Sequence, residues 1–202
     1  MFLYTGLGSI PLPAPYILRV VMRFLLLLSF LTLFFSEAHA EDEALKRIEN
    51  YLNSLTTITA DFTQASPDGE IATGKFYLER PGKMRWEYDP PTPILMVSNG
   101  SMMTYFDREL AEISHIPLDS TLAGFLARPV IRFSDDVSVD SLTNKAGMMR
   151  ITVHQTEKRD QGELTLEFSD KPITLRSLTV KDSTGQMIEV TLHDTHFGLS
   201  ID

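Results

Sequence analysis

The chain contains no cysteine. Disulfides and thiol chemistry are therefore closed to it, and no lipid can be attached to a cysteine behind an export signal. It also lacks a Gly-x-Ser-x-Gly elbow and a phosphate-cradling glycine loop, the local geometries on which many hydrolases and nucleotide-binding proteins depend. Basic residues are outnumbered, 18 Lys and Arg against 27 Asp and Glu, for a net charge of −9. Surplus negative charge repels nucleic acid and anionic membrane surfaces, which excludes both as main partners. Metal ligands are scarce too. His193 and His196 are the closest histidine pair and have no third ligand at a recognisable spacing, so solvent-facing polar residues outweigh a metal site. Asp135-Asp136 lacks the ligand pattern of a calcium loop and reads as a solvated turn. No enzyme, metal or cofactor follows from these residues.

What is present is apolar. With 202 residues, 43% of them hydrophobic, the chain can bury a real core, and one domain is the default. Residues 1–40 read as a targeting segment. Met22-Arg23 opens a basic start, Phe24 to Phe35 is apolar except for Ser29 and Thr32, and Ala38-His39-Ala40 is a cleavage signal ahead of Glu41. Met22 reads as the true start. The alternative is an uncleaved membrane anchor, since Tyr16 to Phe35 is nearly long enough to span; Arg19, Arg23 and the cleavage signal weigh against it. Residues 41–202 then carry 16 basic groups (18 less Arg19 and Arg23) and 26 acidic ones (27 less Glu37), a net charge of −10. The expectation is an exported, soluble protein of a bacterial periplasm.

From Glu41 to Leu55 the apolar residues Leu45, Ile48, Leu52 and Leu55 recur at helical spacing, with Glu41, Asp42 and Glu43 at the positive end of the dipole. From Thr59 the period changes to two, with Ala60, Phe62 and Gln64 on one face. Strands are expected at Ile71 to Arg80, Met84 to Tyr88, Ile94 to Ser98, Ser101 to Phe106 and Leu110 to Ile116, with Asn99-Gly100 marking the clearest hairpin. A second short helix, capped by Asp119 or Ser120, would put Leu122, Phe125 and Leu126 on one face and end at Arg128-Pro129. Further strands follow at Val137 to Leu142, Met148 to His154, Leu164 to Phe168, Ile173 to Lys181 and Gln186 to His193. Ten or eleven short strands exceed what one open sheet holds without curling. The fold expected is mainly β: a curved antiparallel sheet or incomplete barrel, with a helical lid over an apolar cavity.

Everything else is arranged around Gly74 to Tyr88. Alternation puts Phe76, Leu78 and Arg80 on one face, and after the Pro81-Gly82 turn it groups Met84, Trp86 and Tyr88. Arg80 is out of place among apolar neighbours. A guanidinium there needs a dedicated hydrogen-bond partner or an incompletely closed face. The competing reading is a surface salt bridge with Glu79 or Glu87, but both glutamates fall on the opposite face. The expected cavity lining is Phe62, Phe76, Leu78, Met84, Trp86 and Met96 from the strands, Leu45, Ile48 and Leu52 from the first helix, and Leu122, Phe125 and Leu126 from the second. Met102-Met103 and Met148-Met149 add flexible thioethers suited to variable chains, although core filling is the better explanation of any single methionine.

Phe62-Thr63-Gln64, then Gly74-x-Phe76, then Arg80-Pro81-x-x-Met84-x-Trp86 resembles the LolA-type outer-membrane lipoprotein carriers. Ser98-Asn99-Gly100 and Tyr105-Phe106-Asp107 continue the resemblance, which covers roughly residues 44 to 201. It implies a half-barrel with a helical lid latched by Arg80, acting without a cofactor as a monomer. Lipid-modified proteins would be its cargo, taken from an inner-membrane ABC-type release complex and passed to an outer-membrane acceptor lipoprotein. Two departures stand out. Met84 occupies a position that is often aromatic, and the sequence stops at Ile201-Asp202, before the final F-x-F-x-x-P-x-G-type strand usual in the family. Either that strand is dispensable or the reading frame is truncated, which bears on sheet-edge coverage. The rival functions are a lipid-sensing or regulatory domain on the same fold, which usually comes with a second domain, and an envelope lipid enzyme, for which no nucleophile–base pair is found.

Overall fold

The structure, a computed structural model, describes residues 41–121, 123–134 and 136–201. The targeting segment at 1–40 lies outside the described residues, as does Leu122. Leu45–Asp202 is a compact unit, and every strand belongs to it. Helix α1 occupies residues 41–54. The strands are β1 (Thr57–Ala65), β2 (Ile71–Glu79), β3 (Lys83–Tyr88), β4 (Ile94–Asn99), β5 (Met102–Asp107), β6 (Glu112–Pro117), β7 (Val137–Lys145), β8 (Met148–Gln155), β9 (Gly162–Asp170), β10 (Ile173–Asp182) and β11 (Met187–Phe197). They form one antiparallel sheet of 11 strands in the order β6-β5-β4-β3-β2-β1-β11-β10-β9-β8-β7.

That order dictates what covers the sheet. Each strand but two hydrogen-bonds its chain neighbours, as short hairpin connections require. The exception is the step from β6 to β7, which are the two edges. Residues 118–136 therefore run from one edge of the sheet to the other. The last strand, β11, sits mid-sheet between β1 and β10, so the edges left open are β6 and β7.

The alternation expected of β2 and β3 is observed. Phe76 pairs with Trp86, Leu78 with Met84 and Gly74 with Tyr88, and all of these apolar side chains are buried. The outer face carries ion pairs instead: Glu79 with Lys83, and Glu87 with both Arg85 and Arg108. On the inner face Phe76 stacks on Trp86 with centroids 4.1 Å apart, and Phe62 meets the edges of Trp86 and Tyr88 at 5.1 Å each. Gly74 makes this packing possible. A Cβ there would stand 2.2 Å from the Glu87 carbonyl and 2.8 Å from the Phe62 ring.

The second helix takes a different form. It resolves into two 3-10 turns, Leu118–Ser120 and Ala123–Ala127. Thr121, with φ −102° and ψ 139°, is extended and interrupts the helical run. Its Oγ1 and carbonyl both accept from the Gly124 N–H, at 3.0 and 3.1 Å, and restart the second turn. Phe125, Leu126, Ile131 and Phe133 of this crossing segment join Ile48 and Leu52 of α1 in the hydrophobic core.

Candidate functional site

Helix α1 lies against one half of the sheet and holds the crossing segment. The Arg47 guanidinium donates to the Asp170 carboxylate at 2.8 Å and its carbonyl at 3.1 Å, and the Leu175 N–H donates to the Tyr51 hydroxyl at 2.9 Å. Both contacts fix α1 to the β9–β10 side. Toward the crossing segment, Asn53 imitates a strand: its Nδ2 donates to the Ile131 carbonyl and its Oδ1 accepts the Ile131 N–H, each at 2.8 Å. Glu49 accepts the Phe133 N–H at 2.7 Å. These ties escape sequence reasoning, because they join residues 78 and 84 positions apart.

Arg80 joins the other half of the sheet to both pieces. Its Nε donates to the Arg128 carbonyl at 2.7 Å, and its Nη1 donates to the Leu55 carbonyl at 3.2 Å and to the Leu52 carbonyl. The orphan carbonyls at a helix C-terminus suit a cation. Two backbone bonds flank the junction: Arg80 N–H to the Thr56 carbonyl at 2.8 Å, and Gly82 N–H to the Ala127 carbonyl at 2.7 Å. Gly82 has φ 79°, and a Cβ would fall 2.5 Å from Gly100 Cα, so only glycine fits the turn that sets this register. Burial lowers the Arg80 pKa from its ordinary value. Its Nη2 is buried with no hydrogen-bond partner among the described residues. Neither Glu79 nor Glu87 reaches it.

Beyond this junction the concave face opens into a cavity of about 490 Å³, a size typical of sites for small apolar ligands. Its walls come from both halves of the sheet: Trp86, Met96 and Met103 on one side, Leu178, Val180 and Val190 on the other. Strands far apart in the sheet order can line one space only if the sheet curls. Of the expected lining residues, Trp86 and Met96 face this cavity. Phe62, Phe76, Leu78 and Met84 of the sheet are instead packed in the hydrophobic core together with Ile48 and Leu52 of α1 and Phe125 and Leu126 of the crossing segment, with Leu45 half-buried against them. Met84 has a specific partner, accepting the Trp86 indole N–H on its sulfur at 3.0 Å. Met149 is core and Met148 is exposed.

Sequence reasoning misses the β10–β11 wall, because only the closure of the sheet brings it opposite β3–β5. It also misses the polar fittings inside. Tyr88 donates to Gln64 Oε1 at 2.6 Å within the cavity wall, and burial together with nearby Tyr105 pushes the Tyr88 pKa to about 12. Burial and Asp107 also raise the pKa of Tyr105. Elsewhere, His193 and His196 are exposed on β11, and Asp136 is paired twice with Arg128, at 2.7 and 2.8 Å.

A family model described as "Outer membrane lipoprotein carrier protein LolA" matches residues 53–198. The outer-membrane lipoprotein carrier protein of Pseudomonas aeruginosa is 29% identical over 178 residues, which cover 83% of this chain and 84% of that protein. Its counterpart in Chromohalobacter salexigens is 30% identical over 177 residues, covering 82% of each. An uncharacterized protein of Rickettsia prowazekii is 27% identical over 129 residues, covering 64% of this chain and 61% of that protein. The chain thus belongs to the LolA family of outer-membrane lipoprotein carriers, periplasmic transport proteins rather than enzymes.

Proposed function

We propose that this protein is a monomeric periplasmic carrier that shields the acyl chains of lipoproteins in the concavity of its sheet, with α1 and the crossing segment serving as the lid. It takes cargo from an inner-membrane ABC-type release complex and gives it to an outer-membrane acceptor lipoprotein. Residues 1–40 direct its export and are removed. One observation carries the reading: Arg80 grips carbonyls of both lid pieces next to an apolar cavity with walls from two halves of a curled sheet.

Magnitudes explain why a latch is needed. Burying one acyl chain of about 16 carbons, at about 0.8 kcal/mol per CH₂, is worth on the order of 12 kcal/mol. Several chains would approach the ceiling of non-covalent affinity and never leave. A closed empty state that satisfies itself offsets this. Each charged hydrogen bond from Arg80 contributes about 1.5–3 kcal/mol, and lid closure hides Leu52, Phe125 and Leu126 from water. Cargo must displace both, which weakens binding enough to permit hand-over. The unsatisfied Nη2 keeps the clasp from being tighter still.

Native mass spectrometry of the protein purified from a periplasm tests the reading. Whole lipoproteins should co-purify, and more of them with Arg80→Leu, which removes the closed state's grip. Free lipid alone, or no adduct with either form, would overturn it.

A further inference from the structure

The cavity lining is mostly apolar, with Ser66, Glu70, Thr92 and Thr121 contributed by connections and a separate polar group, Gln64, Tyr88 and Tyr105, contributed by strands β1, β3 and β5. Gln64 follows Phe62 on the inner face of β1, where it pairs with Ala72 of β2 and Val190 of β11, both cavity residues. Its Oε1 is occupied by the Tyr88 hydroxyl at 2.6 Å. The amide is thereby oriented with its Nε2 hydrogens left over, and they find no acceptor among the described residues. Tyr105 of β5 lines the same cavity, close enough to raise the Tyr88 pKa, and its hydroxyl also has no hydrogen-bond partner among the described residues. Gln64 and Tyr105 are both half-buried, so these donors stay open to an incoming group; hydrocarbon alone offers them nothing, whereas an acceptor carried by the ligand would engage them.

The chain of causes runs back to the backbone. Gly74 leaves room for the Phe62 ring, Phe62 seats the edge of Tyr88, and Tyr88 fixes the Gln64 amide. A side-chain amide held this way is a pre-set donor. The acceptor it fits is a carbonyl oxygen without a hydrogen of its own.

Resting on the carrier reading above, we propose that Gln64, positioned by Tyr88 and assisted by Tyr105, holds the acyl carbonyl that joins a fatty chain to its head group. The cavity then recognises acylated cargo by linkage as well as by greasiness, and the bond sets how deep the chains sit. Gln64 Nε2 and the Tyr105 hydroxyl donate; the carbonyl accepts; no covalent bond changes.

Two soluble probes differing only in this group provide the test: dioctanoyl glycerol, which has ester carbonyls, and its dioctyl ether analogue. Titration calorimetry on the mature chain should find the ester bound about tenfold more tightly than the ether, as one or two hydrogen bonds to a desolvated carbonyl imply. Gln64→Leu should abolish that preference and leave ether binding unchanged, and Tyr105→Phe, at a less buried position, should reduce it. Equal affinity for the two probes in the unmodified protein, or equal loss of both in Gln64→Leu, would overturn the inference while leaving the carrier reading intact. Binding of neither probe would remove the carrier reading and this inference with it.

Discussion

At the scale of single residues, two small features carry the site. Arg80 stands out from the sequence alone, because alternation puts its charge in step with Phe76 and Leu78. Its three acceptors do not, since backbone carbonyls at Leu52, Leu55 and Arg128 leave no trace in residue type. Gly74 is the second feature, and its reason is contact rather than conformation. A methyl group at Gly74 would press on the Glu87 carbonyl, which belongs to the ladder, and on Phe62, which lies in the core. Gly74→Ala should therefore cost about 1–3 kcal/mol of stability through overpacking, read as a lowered urea midpoint with an unchanged slope. An unchanged midpoint would mean that strand β2 yields where the packing says it cannot.

At the scale of elements, α1 is the hub. Its apolar stripe is readable from Leu45, Ile48 and Leu52, whereas the polar ties on its flanks join residues 78 to 124 positions apart and need the fold to appear. The helical spacing of Leu122, Phe125 and Leu126 predicts a helix in the crossing segment. Extended Thr121 breaks it into two shorter turns, the second restarted by the Gly124 N–H on Thr121, that still deliver Phe125 and Leu126 to the core. The tie from Arg47 to Asp170 makes α1 sensitive to acid. Hydrogen bonding to Arg47 lowers the Asp170 pKa. Its contribution is thus fully present above the ordinary carboxylate value of about 3.9 and disappears as pH falls through the lower folded value. Asp170→Asn should melt earlier than the unmodified protein near pH 6, with the gap closing as pH approaches 2. A gap that persists at low pH would show that charge is not what holds α1 to β9.

At the scale of the whole molecule, the sheet order explains why a half-barrel has a cover at all. Because β6 and β7 are opposite edges, the chain must pass from one to the other, and residues 118–136 make the passage. Strand number and alternation point to a curled sheet, but local sequence says nothing of which strands face each other across it. That is why the β3–β5 wall can be anticipated and the β10–β11 wall cannot. The central claim is that acyl chains enter this concavity and that Arg80 opposes their entry. Trp86, the sole tryptophan, stands on the cavity wall and stacks on Phe76. Quenching of its emission by a brominated fatty-acyl lipid measures occupancy directly. The expected result is saturable quenching that reaches half-maximum at a several-fold lower lipid concentration in Arg80→Leu. Emission that stays constant in both proteins, at concentrations where lipid is bound, would place the chains elsewhere and contradict the account.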